Sequence, residues 1–226
     1  MRLRALLVAV ATAATCVMTG SGVAGRPPLA LAQGCLAVRG PLIAYGHSYL
    51  ESPGIGGAKA SYATLAASSL GLKSVIRAVN GGTSLNVDKL VHSGPTRWVP
   101  GSSDLVLIDS AINDIGDKLP TARWTAALQH TLTAFAVPPV PTILLVRPLQ
   151  VTAKTNQGHD PKVIAAYAAE QRKVATKFSA VRIVDASSGW NPARDLSADG
   201  VHPNTAGMAE MAHAVRGTAS STFCAP

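Results

Sequence analysis

The chain has 226 residues, 47% of them hydrophobic and only 14% charged, with a formal charge of +8. That length suits one α/β domain with a proper core, and the apolar content excludes a disordered polyelectrolyte. The Lys and Arg residues are scattered, without a basic run or aromatic interleaving, so nucleic-acid binding has no sequence support.

Part of the apolar excess is local. Met1 to Arg4 are basic, Ala5 to Met18 are almost wholly Ala, Leu, Val and Thr, and Ala30-Leu31-Ala32 offers a small-residue cleavage site. This reads as a signal peptide over residues 1–32, followed by a single domain over 33–226. The segment is short for a spanning helix, so stable membrane insertion is not expected after cleavage. Cleavage removes Arg2, Arg4 and Arg26; Lys plus Arg falls from 20 to 17 against 12 acidic residues, leaving +5. The expected location is secreted or cell envelope, where a mildly basic surface favours anionic envelope polymers or lipid headgroups. Cys16 lies in the leader. Cys35 and Cys224 remain, one at each end of the mature chain, and an oxidising compartment predicts a disulfide between them. By loop entropy such a link contributes on the order of 4 kcal/mol.

Apolar runs then alternate with helical patterns. Leu42 to Tyr45 is the first strand, bounded by Pro41 and Gly46, with Ser48 just past its carboxyl end. Gly56 to Leu70 is predicted helical, with Tyr62, Leu65, Ala66 and Leu70 inward and Gly71 as its stop. Ser74 to Val79 is strand two, ending in Asn80-Gly81-Gly82. A short helix covers Leu85 to Val91, and His92 to Gly101 is a loop carrying Trp98. Asp104 to Asp109 is strand three, followed by Ser110-Ala111-Ile112-Asn113-Asp114. Thr121 to Ala136 is an amphipathic helix with Trp124, Leu128, Leu132 and Phe135 on one face. Thr142 to Val146 is strand four, and Arg147 to Gly158 a polar loop. Asp160-Pro161 caps a helix to about Phe178, with Ile164, Tyr167, Val174 and Phe178 inward. Val181 to Val184 is strand five, Asp185 to His202 a long loop, and Pro203 opens a last helix to about Arg216.

Short apolar strands alternating with helices predict a five-stranded parallel sheet covered on both faces. Right-handed crossovers make this a three-layer α/β/α sandwich, with 2-1-3-4-5 as the leading strand order. In that order the loops carrying Ser48, Gly82 and Asn113, with Asp199-Gly200-Val201-His202 before the last helix, converge on one rim. Acyl transfer needs a hydroxyl nucleophile, a base, an orienter for the base and donors for an oxyanion. Those residue types are all there.

The blocks Gly46-His47-Ser48, Asn80-Gly81-Gly82, Ala111-Ile112-Asn113-Asp114 and Asp199-Gly200-Val201-His202, in this order, resemble those of the SGNH hydrolases, also called the GDSL esterase/lipase family. The resemblance spans about Leu42 to Val215. It implies the flavodoxin-like SGNH hydrolase fold, a secreted serine esterase acting on carboxylic esters, and no cofactor. By the same resemblance Ser48 is the nucleophile, His202 the base and Asp199 its orienter. The backbone N–H groups of Ser48 and Gly82 and the Asn113 amide form the oxyanion hole, with Gly81 as the alternative backbone donor. Two positions depart from the family pattern: His47 replaces an Asp, and Ala111 a Gly. His47 is expected to be a packed ring turned away from the chemistry.

A metal site from His47, His202 and Asp199 is disfavoured, because no H-E-x-x-H or Cys/His ligand spacing occurs. His130 and His213 read as surface or boundary residues, and His92 and His159 as solvated loop residues. Trp190, Asn191 and Arg194 are candidates to line an acyl or sugar pocket, or to be structural. The expected substrate is a small-molecule, lipid or acylated-glycan ester, and the expected state a monomer. Competing readings are an O-acyltransferase that passes the same acyl group to a hydroxyl, and a non-catalytic module binding envelope glycan or lipid.

Overall fold

The computed structural model describes residues 40–92, 104–135, 142–152 and 159–222. The leader over residues 1–32, Cys35, Cys224 and Trp98 lie outside the described residues. Five strands form the sheet: β1 (Leu42–Gly46), β2 (Ser74–Ala78), β3 (Leu105–Ile108), β4 (Thr142–Val146) and β5 (Val181–Val184). Their order is β2-β1-β3-β4-β5, and every pair is parallel, as the sequence predicts. Ala44 of β1 sits between Ile76 of β2 and Leu107 of β3, so the central strand is flanked on both edges.

Every residue of β1, β3 and β4 is buried. This follows from a parallel sheet with helices on both faces, which needs continuous apolar runs rather than alternation. Side chains still alternate between faces. Leu42, Ala44, Leu105, Leu107 and Leu144 point to one side and meet α2 (Tyr62–Ser69) and α8 (Thr205–Ser220) through Ala63, Ala66, Met208, Met211 and Val215. Ile43, Tyr45, Val106, Ile108 and Leu145 point to the other. There they meet α3 (Ser84–His92), α5 (Thr121–Thr133) and α6 (Pro161–Ala175) through Val87, Trp124, Leu128, Leu132 and Tyr167. Each fully buried large apolar side chain of this kind contributes about 1.5–3 kcal/mol. Among the described residues no helix is long and apolar enough to cross a membrane.

Local chemistry explains most boundaries. Asp160 accepts the Lys162 N–H and Pro161 occupies the first turn of α6, as expected. The helix predicted over Gly56 to Leu70 is broken in two: a 3-10 turn over Gly57–Ala60, then α2. Ser61 is extended between them, and its hydroxyl accepts the Thr64 N–H as a new cap. Of the predicted stripe Tyr62 and Ala66 are buried, together with Ala63 and Ala67, while Leu65 stays exposed. Three short helices fall within or beside predicted loops: α1 (Ser48–Glu51), α4 (Ile112–Gly116) and α7 (Pro192–Asp195). Each has four or five residues, too few to show a period. The last helix starts at Thr205 rather than Pro203, because Asn204 caps it and Pro203 bridges to Leu196.

Candidate active site

β1 has one neighbour reached by the chain moving left and another by moving right, so a crevice opens at its carboxyl end. Gly46 ends β1 there. A Cβ on it would lie 2.8 Å from the Asp109 carbonyl oxygen and 2.8 Å from Leu50 Cδ1, so only glycine lets the two strand ends come this close. Ser48 then begins α1, and its N–H is one of the helix-start groups with no intrahelical acceptor.

Ser48 Oγ lies 2.9 Å from His202 Nε2, and His202 Nδ1 lies 2.6 Å from Asp199 Oδ2. The two groups are 154 positions apart in sequence. Asp199 Oδ1 accepts the N–H groups of Val201 and His202, both at 2.9 Å, which sets the carboxylate's orientation. Burial pushes the Asp199 carboxyl up, but the Val201 N–H, the His202 ring and the His202 N–H outweigh it and hold it below its ordinary value. It is therefore an anion wherever the imidazole needs a counter-charge. The loop is held in place by the bridge between Leu196 and Pro203, by Thr152 N–H donating to the Gly200 carbonyl, and by Tyr49 O–H donating to the Val201 carbonyl at 2.6 Å. The Tyr49 ring also meets His202 edge-on at 5.9 Å.

The block after β2 differs in detail from expectation. Gly82 N–H donates to the Val79 carbonyl at 2.8 Å, closing a turn, and Gly82 is buried. Its carbonyl accepts the Asn113 side-chain amide at 2.9 Å. So Gly82 has no N–H left for a substrate. Gly81 occupies the turn's positive-φ position (φ +68°), is exposed, and faces open space. Asn113 Nδ2 carries two hydrogens and spends one on Gly82. Asp114 ties this block to the next: its carboxylate accepts Ser84 N–H at 2.9 and 3.1 Å and Ser84 O–H at 2.6 Å.

His47 is fully buried. Its Nδ1 accepts the Tyr49 N–H at the start of α1, at a long 3.5 Å, taking the place of a capping carboxylate. With Nδ1 accepting, Nε2 carries the proton and donates to Asp109 Oδ1 at 3.2 Å, and Tyr62 O–H donates to Asp109 Oδ2 at 2.7 Å. This His47–Asp109–Tyr62 network lies behind the nucleophile and was not foreseen from the sequence. Its one signal is an acid, Asp109, directly after the wholly buried β3. Ala111, the other departure, is buried at the start of α4.

Trp190, Asn191 and Arg194 are each tied into the fold by hydrogen bonds. Trp190 Nε1–H donates to the Gln150 carbonyl, Asn191 caps α7, and Arg194 bonds Asp195 and the Gly189 carbonyl. His159 is not a solvated loop residue: Nε2 meets the Ile112 carbonyl at 3.3 Å, and burial lowers its pKa. His92 and His130, far apart in sequence, stack at 4.1 Å beside Asp88.

The family profile described as GDSL-like lipase/acylhydrolase matches residues 44–210. A search of curated proteins returned no match. Among solved structures, the chain is similar to a protein assigned as a GDSL-like lipase from Parabacteroides merdae, with TM-score 0.67, 18% identity, and 83% of this chain and 99% of that one covered. It is similar to an acetyl xylan esterase variant from Geobacillus stearothermophilus, with TM-score 0.65, 17% identity and coverages of 84% and 99%. It is also similar to the protein named TesA, with TM-score 0.67, 19% identity and coverages of 81% and 99%.

Proposed function

From the premise that the chain belongs to the GDSL-like lipase/acylhydrolase family, whose chemistry is ester hydrolysis, we propose that it is an exported serine esterase using Ser48, His202 and Asp199. The observation that carries the assignment of residues is the unbroken line from Ser48 Oγ through the His202 ring to Asp199, at 2.9 and 2.6 Å. Those distances are within hydrogen-bond reach at both steps, which a nucleophile and its base require.

In the first half-reaction Ser48 Oγ attacks the acyl carbonyl carbon and its proton passes to His202 Nε2. Asp199, already ionised, holds the proton on Nδ1 and stabilises the imidazolium. The carbonyl oxygen becomes an oxyanion. Its donors are the Ser48 N–H at the start of α1, the free hydrogen of Asn113 Nδ2, and the Gly81 N–H. We assign Gly81 rather than Gly82 because the Gly82 N–H is held by Val79. Collapse releases the alcohol, which takes the proton from His202 Nε2. Water then repeats the sequence on the acyl-serine, frees the acid and restores Ser48. Charge develops mainly on the oxyanion, so fixed donors there account for a large share of the acceleration.

The test is hydrolysis of p-nitrophenyl esters from C2 to C16 by the protein beside Ser48→Ala. Turnover that vanishes in the variant, with both folded by circular dichroism, supports the assignment, and the chain-length profile gives the acyl preference. Equal turnover in parent and variant refutes Ser48 as nucleophile. Export rests on the basic start, apolar stretch and Ala30-Leu31-Ala32 of the leader; N-terminal sequencing of the secreted protein tests it, with Gln33 expected first.

A further inference from the structure

The third layer holds a second gathering of polar groups, apart from the triad. Asp88 and His92 lie four residues apart on α3, and so share one face. His130, in the last turn of α5, comes to the same point because α3 and α5 pack side by side on the sheet. His130 Nδ1 is 2.9 Å from Asp88 Oδ2, and His92 Nδ1 is 3.1 Å from Asp88 Oδ1. The two imidazoles stack with centroids 4.1 Å apart and planes within 17°. Thr131 O–H donates to Asp88 Oδ1 at 3.0 Å. Among the described residues this is the group of three potential metal ligands whose atoms all lie within 4.8 Å of one another. At a rise of about 1.5 Å per residue, His92 lies about 12 Å along α3 from Ser84, which borders the oxyanion loop.

We propose that Asp88, His92 and His130 form a binding site for a divalent transition-metal ion of the zinc type. The donor set decides the class. Two imidazole nitrogens and one carboxylate oxygen suit borderline cations, whereas calcium and magnesium take all-oxygen shells. Zinc bonds of about 2.0–2.2 Å require neighbouring ligand atoms about 3.4 Å apart in a tetrahedron. The carboxylate already sits 2.9 and 3.1 Å from the two nitrogens, so a few tenths of an ångström of opening admits the ion. The near-parallel rings must tilt to aim both lone pairs at it. His130, with 63% of its side chain exposed, is free to do so. Each ring would coordinate through Nδ1 with its proton moved to Nε2, and water would complete the shell. That gives up the N–H bonds that His130 Nδ1 makes to Asp88 Oδ2 and His92 Nδ1 to the Asp88 main-chain carbonyl at 3.0 Å. Thr131 holds the carboxylate as an outer-shell donor holds a ligand. Asp88 supplies the one negative charge of the set, which offsets half the charge of the ion. The ion would pin the end of α3 to α5, a stabilising rather than a catalytic role.

The experiment uses untagged protein, stripped with chelator and desalted, and titrated calorimetrically with Zn²⁺ near neutral pH. Expected are about one equivalent bound and an affinity at least about tenfold lower in both His130→Ala and His92→Ala. Co²⁺ in place of zinc should give the intense visible bands of a four-coordinate N/O site in the parent and not in His130→Ala. Ester hydrolysis by metal-free His130→Ala should match the metal-free parent, which separates this site from the triad. The His202–Asp199 pair is the competing ligand. Binding that survives both histidine variants, or that is lost in His202→Ala instead, overturns the proposal. So does absence of stoichiometric binding at about 100 µM zinc. If His92→Ala does not fold, the exposed His130 position alone decides.

Discussion

Removing the Asp114 carboxylate should loosen the fold and the oxyanion loop together. Its two oxygens take three hydrogen bonds from two donors of Ser84, at 2.6, 2.9 and 3.1 Å, and the residue is fully buried. Asp114→Ala leaves the Ser84 N–H and O–H without this acceptor in a buried place. Each orphaned donor costs about 1–3 kcal/mol. Against that, burial already pushes the Asp114 carboxyl up despite the Ser84 bonds, so removing the charge recovers part of its desolvation. The net loss is about 2–4 kcal/mol, or a fall in Tm of roughly 5–15 °C for a domain of this size. Only Thr83 separates Ser84 from the turn that carries Gly81, so kcat should also fall, toward the 10²–10³-fold expected for one lost oxyanion donor. Asp114→Asn keeps one acceptor oxygen and should lose less than half as much of both. Thermal unfolding and p-nitrophenyl acetate kinetics on the three proteins measure this. A Tm within about 1 °C of the parent and unchanged kcat in Asp114→Ala would refute the clamp.

Asn113→Ala should lower kcat about 10²–10³-fold with KM changed only a few-fold, because its free amide hydrogen meets charge that exists only in the transition state. Asp199, Asp195 and Asp185 all have carboxyls held below their ordinary value. For Asp199 and Asp185 burial opposes and hydrogen bonds prevail; for Asp195 the Arg194 guanidinium leads. Groups depressed in the folded state stabilise it above their unfolded pKa, and that contribution is lost as pH falls through the folded one. Tm should therefore hold down to about pH 4.5 and drop below about pH 3.8, and a fall that starts near pH 6 would contradict this. Burial, aided by carboxylate charges, raises the phenols of Tyr49 and Tyr62 well above their ordinary value, and that of Tyr167 to about 12. A raised phenol stabilises the fold below its unfolded pKa, and the contribution is lost as pH climbs from about 10 toward 12. Absorbance at 295 nm should show these three ionising together with loss of the circular dichroism signal; earlier, separate ionisation would argue against their burial.

Local physics made much of this protein legible in advance. A run such as Thr142–Val146 is apolar from Ile143 onward and buried throughout, and a strand covered on both faces asks for little else. The Trp124, Leu128, Leu132 and Phe135 spacing needed only the helical period, and all four are buried. Asp160-Pro161 announced a helix start because its capping bond reaches only two residues ahead. Right-handed crossovers give the layering, while the strand order 2-1-3-4-5 rests on choosing a common doubly wound arrangement, which the observed sheet matches.

What the tertiary structure alone decided involves directions and distant partners. Two adjacent glycines look alike in sequence; that the Gly82 N–H is taken up inside the chain depends on a turn to Val79, and that its carbonyl is taken up depends on Asn113 reaching across 31 positions. His47 reads as a departure from a motif until Asp109, 62 positions on, accepts its proton and Tyr62 shares the carboxylate. His92 and His130 read as separate surface rings until the packing of α3 on α5 stacks them beside Asp88. Periodicity reports which face of an element is apolar, and caps report where it starts. Neither carries the rotation and offset of one element against another, which the packing of the whole core sets, and polar side chains meet only after those are settled.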